Sequence, residues 1–209
     1  MKQFSFILFL LMTAGEIHAQ DSIAGEYYMH GVMETASGFQ INADSTFQFF
    51  FSYGALDRYG KGKWSMKDDS TIIFNSEKRP PLDFKLVKHE QRKSDFVTVQ
   101  ITDANKNLLR YVNGFIKTKT GGEEIQTNAD GIAQIKFQPV DSIALMFTFC
   151  PDRYSVFPVS DKNDNYFSFQ FEPWIAEVFF DNFILGYKNN MLTGRHPLMD
   201  GDDFSYEKD

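Results

Sequence analysis

Short runs in which every second residue is apolar, each closed by turn-forming residues after roughly ten positions, recur from Gly25 almost to the C-terminus. The clearest run is Thr46–Tyr53, where Phe47, Phe49 and Phe51 fall on one face and Gln48, Phe50 and Ser52 on the other. Such a period must bury one face. Gly25–Met29, Phe39–Ile41, Gly62–Met66 and Thr71–Phe74 carry related patterns, with turns at Asn42–Ser45 and Lys67–Ser70 and a polar loop over Tyr53–Gly60. Strands this short, joined by turns this tight, predict an antiparallel up-and-down meander. Leu82–Leu86 alternates and is expected as a sixth strand, after Pro80-Pro81, which no central strand accommodates. The charged run Lys88–Lys93 then places a domain boundary within Lys88–Ser94.

Beyond it, Phe96–Ile101 is a strand and Thr102–Asn107 its turn. The segment Thr127–Ile135 reads as a turn feeding a strand, with Asn128, Asp130 and Gly131 supplying the turn chemistry. Ile132–Phe137, Ile143–Phe149 and Tyr154–Val159 follow as strands. Further on, Tyr166–Phe171, Phe179–Leu185 and Phe204–Tyr206 do not fit easily into the middle unit. Two arrangements are open for them. They can return to the first meander and complete its sheet, removing its exposed edges, or they can follow in tandem. The expected division is 1–19, 20–90, 95–160 and 161–209, the last possibly completing the first sheet.

Gly25-x-Tyr27, Asp44-Ser-Thr-Phe47-x-Phe49, Gly62-x-Trp64 and Thr71–Phe74 resemble the opening strands of lipocalin-like domains of exported bacterial proteins. Val97-x-Val99-x-Ile101-x-Asp103, Leu108-Leu109, Thr127-x-Ala129-Asp130-Gly131-x-Ala133-x-Ile135 and Asp141-Ser-Ile143 resemble the prealbumin-like regulatory domain of the carboxypeptidase family. The first resemblance implies a meander or partly closed lipocalin-like barrel. The second implies a Greek-key prealbumin-like sandwich without catalytic residues of its own, serving as a spacer, docking or sugar-side module. The fold class expected is therefore all-β.

Lys2, the apolar run Phe4–Met12 and Ala19 form a secretory signal pattern, with cleavage expected after Ala19. That run is about half the roughly 20 residues a membrane span needs, so no integral membrane segment is expected after cleavage. A secreted or periplasmic location follows. The lone Cys150 excludes an internal disulfide and, ending an apolar run, is expected in a core. Loss of Lys2 and Glu16 leaves the net charge at −7, a poor surface for nucleic acid.

Asp161, Asn163, Asn165 and Glu172 have the spacing of a calcium loop, but Tyr166 stands where the sharp bend needs glycine, so a polar turn is expected. Asp200-Gly-Asp-Asp203 reads the same way. His30, His89 and His196 lie far apart in sequence, and no zinc, phosphate-loop or serine-nucleophile motif occurs. Neither a metal nor a cofactor is expected, and no enzymatic activity. The candidate ligand-binding residues are Tyr53, Asp57, Arg58 and Tyr59, which join aromatic faces to a charge pair in a loop, together with Trp64. Trp64, Phe47 and Phe49 are expected in the core, although an apolar lumen would use the same side chains. The function expected is an exported, non-enzymatic binding or accessory module of the bacterial envelope. Its partner would be a small molecule, a glycan or an envelope protein. The alternative is a carrier holding an apolar ligand among Phe47, Phe49, Phe51 and Trp64.

Overall fold

The structure is a computed structural model that describes residues 23–54 and 56–209. The expected signal sequence, 1–19, lies outside them. The described chain is all-β apart from a short 3-10 turn at Lys106–Leu108.

Five consecutive strands, β1 (Gly25–Met29), β2 (Thr35–Ile41), β3 (Thr46–Tyr53), β4 (Leu56–Asp68) and β5 (Thr71–Asn75), form an antiparallel meander. Three strands from the other end of the chain close it. Numbered in chain order, these are β15 (Phe183–Lys188), β16 (Met191–Gly194) and β17 (Phe204–Lys208). β15 pairs with β5 and β17 with β1, both antiparallel, giving a closed eight-stranded barrel. Closure leaves none of these eight strands with an open edge, and each lies beside its neighbour in connection order.

Everything between β5 and β15 is an insertion into this barrel. One inserted sheet has the order β10 (Ile132–Lys136), β7 (Phe96–Ile101), β13 (Tyr166–Phe171), β6 (Phe84–Glu90). The other runs β12 (Ser155–Pro158), β11 (Val140–Phe147), β8 (Val112–Thr118), β9 (Gly121–Gln126). Alternate residues of the two sheets face each other across one core, with Val97, Val99 and Ile101 from β7 and Ile143, Leu145 and Phe147 from β11 all buried.

Three segments differ from the sequence expectation. Phe84–Glu90 does not end the meander. It pairs with β13, and Phe84 is buried in the sandwich core, so the break at Pro80-Pro81, not the charged run Lys88–Lys93, separates the meander from the next unit. Tyr166–Phe171, which fitted the middle unit poorly on sequence, lies inside its first sheet between β7 and β6. Its first four residues are all buried: Phe167 and Phe169 lie in the sandwich core, while on the outer face the Arg92 guanidinium covers the Tyr166 ring, whose hydroxyl donates to Gln100. Finally, Leu56–Gly60 is not loop. β4 begins at Leu56 and pairs with β3 along its length, with Gly54 at φ +59° in the hairpin turn.

The turn before β10 follows the expected chemistry. The Asn128 side-chain oxygen accepts from the Asp130 and Ile132 amides, and Gly131 takes φ +76° where a Cβ would meet the Ile101 carbonyl at 2.5 Å.

The barrel interior is filled by aromatic rings. Phe180 follows the short β14 (Glu177–Val178), which lies parallel to β4, and its ring centroid is 5.0 Å from that of Phe47, 5.4 Å from Phe49 and 5.4 Å from Phe183. Gly60 gives it room, because a Cβ there would lie 2.6 Å from the Phe180 ring.

Candidate functional site

The period of two divides the candidate residues of β4. Arg58 points inward and is 7 % exposed, whereas Asp57 and Tyr59 face outward. The Tyr59 hydroxyl donates to the Pro173 carbonyl at 3.2 Å and its ring lines an outer groove with Trp174 and Phe179. Trp64 is buried in the barrel core and donates from Nε1 to the Asn42 carbonyl at 2.9 Å. Only Tyr53 and Arg58 of the five share a cavity. Phe47 and Phe49 contribute to the ring-filled interior, where Phe180 occupies the space between them.

That cavity, about 830 Å³, lies at one end of the barrel against the sandwich. The barrel contributes Thr35, Phe51, Tyr53, Leu56 and Arg58, and the β16–β17 connection contributes Arg195 to Asp202. The sandwich contributes Phe149, Pro151 and Asp152, from the connection between β11 and β12. Its size falls within the range of small-molecule sites, and its walls mix apolar side chains with a few charges.

His196 fixes the connection over the barrel end. Its Nδ1 accepts from the Leu198 amide at 2.9 Å, so the proton of the neutral ring resides on Nε2, which donates to Ser37 Oγ at 3.0 Å. The Ser37 hydroxyl in turn donates to the Phe50 carbonyl at 3.0 Å. An imidazole whose Nε2 already carries the proton cannot take one from Ser37, so this pair is a structural latch between β2 and the connection. Burial among Phe49, Phe51, Phe204 and Tyr206 pulls the imidazole down to about 4.

Behind the cavity the barrel and sandwich meet across a set of buried charges. Asp83 accepts from Arg79 at 3.1 Å and lies 3.4 Å from Arg153 Nε. Arg153 also donates to the carbonyls of Ile175 and Glu177, and Cys150, buried as expected, places its thiol 3.2 Å from the Ile175 carbonyl. Burial pushes the Asp83 carboxyl up, with the Arg153 and Arg79 guanidiniums working against it. Arg58 has no such arrangement. Its Nε, like that of Arg153, has no hydrogen-bond partner, but unlike Arg153 it has no ion pair within 4.0 Å to a described residue. Burial pulls its guanidinium below the ordinary value, with Arg153 adding repulsion, while Asp152 and Asp83 act in the other direction from beyond contact.

The remaining polar turns serve the backbone. Asp161 accepts from the Asn163 amide and side chain, and Asn165 donates to the carbonyls of Arg92, Ser94 and Phe96. Among the described residues no group of three His, Cys, Asp or Glu side chains could hold a metal ion, and no helix is long and apolar enough to cross a membrane.

Sequence reasoning missed Arg195, His196, Leu198 and Phe149 as neighbours of Arg58. The signal available was Gly194-Arg-His-Pro197, a cation and a histidine at a turn, but its placement depends on β17 returning to β1. Comparison with protein-family models, with curated proteins and with solved structures finds no match.

Proposed function

We propose that this protein is an exported, non-enzymatic binding module, and that its ligand occupies the cavity between the barrel end and the sandwich. The observation that carries the reading is that one cavity of about 830 Å³ is walled jointly by the barrel, the β16–β17 connection and the sandwich. Sites of this kind occur preferentially where structural units meet. The ring-filled interior favours this position over a ligand held among Phe47, Phe49, Phe51 and Trp64. Closure of the eight-stranded up-and-down meander supports the lipocalin-like likeness, and two packed four-stranded sheets support the prealbumin-like one. Export rests on the N-terminal pattern of Lys2, Phe4–Met12 and Ala19.

The test is a titration of the folded protein with the amphipathic fluorophore 1-anilinonaphthalene-8-sulfonate. Saturable one-to-one enhancement is expected, lost in Thr35→Trp, which places an indole in the cavity from β2. Absence of saturable binding, or binding that Thr35→Trp leaves intact, would overturn the proposal.

A further inference from the structure

We infer that the ligand is an amphipathic monoanion whose acidic head group is held by the guanidinium of Arg58. This rests on the cavity being the ligand site.

The charge balance of the interface comes first. Three guanidiniums, those of Arg58, Arg79 and Arg153, gather near one buried carboxylate, Asp83, which is engaged by the latter two. Arg153 has two backbone carbonyls besides. Arg58 is left inside the protein without an acceptor for Nε or an ion pair to a described residue. A buried charge without a partner is strongly unfavourable, and where a chain keeps one beside a cavity, an external counter-ion is the arrangement that resolves it. Arginine suits this role because its planar fork meets a carboxylate or sulfonate through paired hydrogen bonds.

The cavity walls describe the rest of the ligand. Phe51, Leu56, Phe149 and Leu198 offer apolar surface for a hydrocarbon or aromatic body. The carboxylates that also line the cavity, Asp152, Asp200 and Asp202, are exposed and therefore solvated, whereas Arg58 is buried. Their charge disfavours a polyanion, which limits the head group to a single negative charge.

The experiment uses two fluorophores that differ only by the acidic group, 1-anilinonaphthalene-8-sulfonate and N-phenyl-1-naphthylamine. The anion is expected to bind about ten- to hundredfold more tightly, the range of a hydrogen bond to a charged group. Arg58→Met should abolish that preference by weakening the anionic probe while the neutral probe still binds, and Arg58→Lys should retain part of it. Decanoate should displace the anionic probe where decanol does not. Equal affinities for the two probes, or an Arg58→Met protein that loses both alike, would overturn the inference and leave the cavity as a site. If neither probe binds, the cavity reading fails and the inference fails with it. Cooperative thermal unfolding of each variant establishes that the comparison is made on folded protein.

Discussion

The interior of the barrel and its sandwich-facing end are made from the same strands under opposite rules. Along β3, Phe47 and Phe49 point into a space that Phe180 fills, while Phe51, the next inward residue, touches His196 and lines the cavity. Along β4, Gly60 is an empty position that a neighbouring ring occupies, and Arg58, the adjacent inward position, is a charge without a partner. One side-chain repeat separates a saturated environment from an unsatisfied one. The interior is packed ring against ring, with the Tyr206 hydroxyl as its buried polar atom without a hydrogen-bond partner. The end gathers buried charges, and among them Arg58 is the one that lines the cavity without an ion pair to a described residue, which is where function is most economically sought.

The largest expected effect tests the saturated side. Phe180→Ala removes the ring that touches Phe39, Phe47, Phe49, Phe74 and Phe183, and the β-barrel cannot collapse into the gap without breaking its closed register. Urea denaturation should show a loss of about 3–5 kcal/mol. A loss below about 1 kcal/mol would mean the interior repacks, and the contrast with the barrel end would dissolve.

A somewhat smaller effect tests the latch between the two environments. The folded protein holds His196 neutral down to about pH 4, whereas the unfolded chain takes up the proton near its ordinary 6.5. The unfolded state therefore binds more protons through this window, and stability falls as pH drops from about 6.5 towards 4. The shift corresponds to a loss of about 3 kcal/mol across the window. The carboxylates held low by local hydrogen bonds, Asp44, Asp68 and Asp141, act below this range. Denaturation curves at several pH values should reveal the slope, and His196→Gln should flatten it. An unchanged slope in that variant would show that the imidazole is not the titrating group.

Much of the fold was legible because period-two patterns act locally. Phe47, Phe49 and Phe51 identified their strand and its buried face, and Asn128, Asp130 and Gly131 identified a turn from backbone chemistry alone. What was not legible depended on partners far away in the chain. Tyr166–Phe171 alternates and was legible as a strand, but it gave no sign of lying between β7 and β6, because both pairing partners lie far back in the chain. Leu56–Gly60 looked like loop because the side chains that would have continued the apolar alternation are Arg58 and Gly60, one recruited by the cavity and one vacated for Phe180. The candidate site shared this fate. Arg58 and Tyr53 were singled out, but their cavity neighbours Phe149 and Arg195–Asp202 meet them only after the barrel closes around the insertion.

The smallest effect has the opposite sign and bears most directly on the contrast. In a protein where Arg58 served stability, its replacement would be harmful, as breaking the Asp83 pairing of Arg79 and Arg153 would be. Arg58, however, has neither an ion pair nor an acceptor for Nε to lose. Arg58→Met keeps most of the side-chain volume and the packing of its stem while removing a desolvated charge, and it relieves repulsion of Arg153. The ligand-free variant should therefore be more stable than the parent by about 1 kcal/mol. Thermal and urea unfolding of the two proteins side by side measure this. A destabilised Arg58→Met would place Arg58 among the residues that hold barrel to sandwich and would remove the distinction between the two regions. A stabilised variant that has also lost its preference for the anionic probe would show binding and stability opposed at a single side chain.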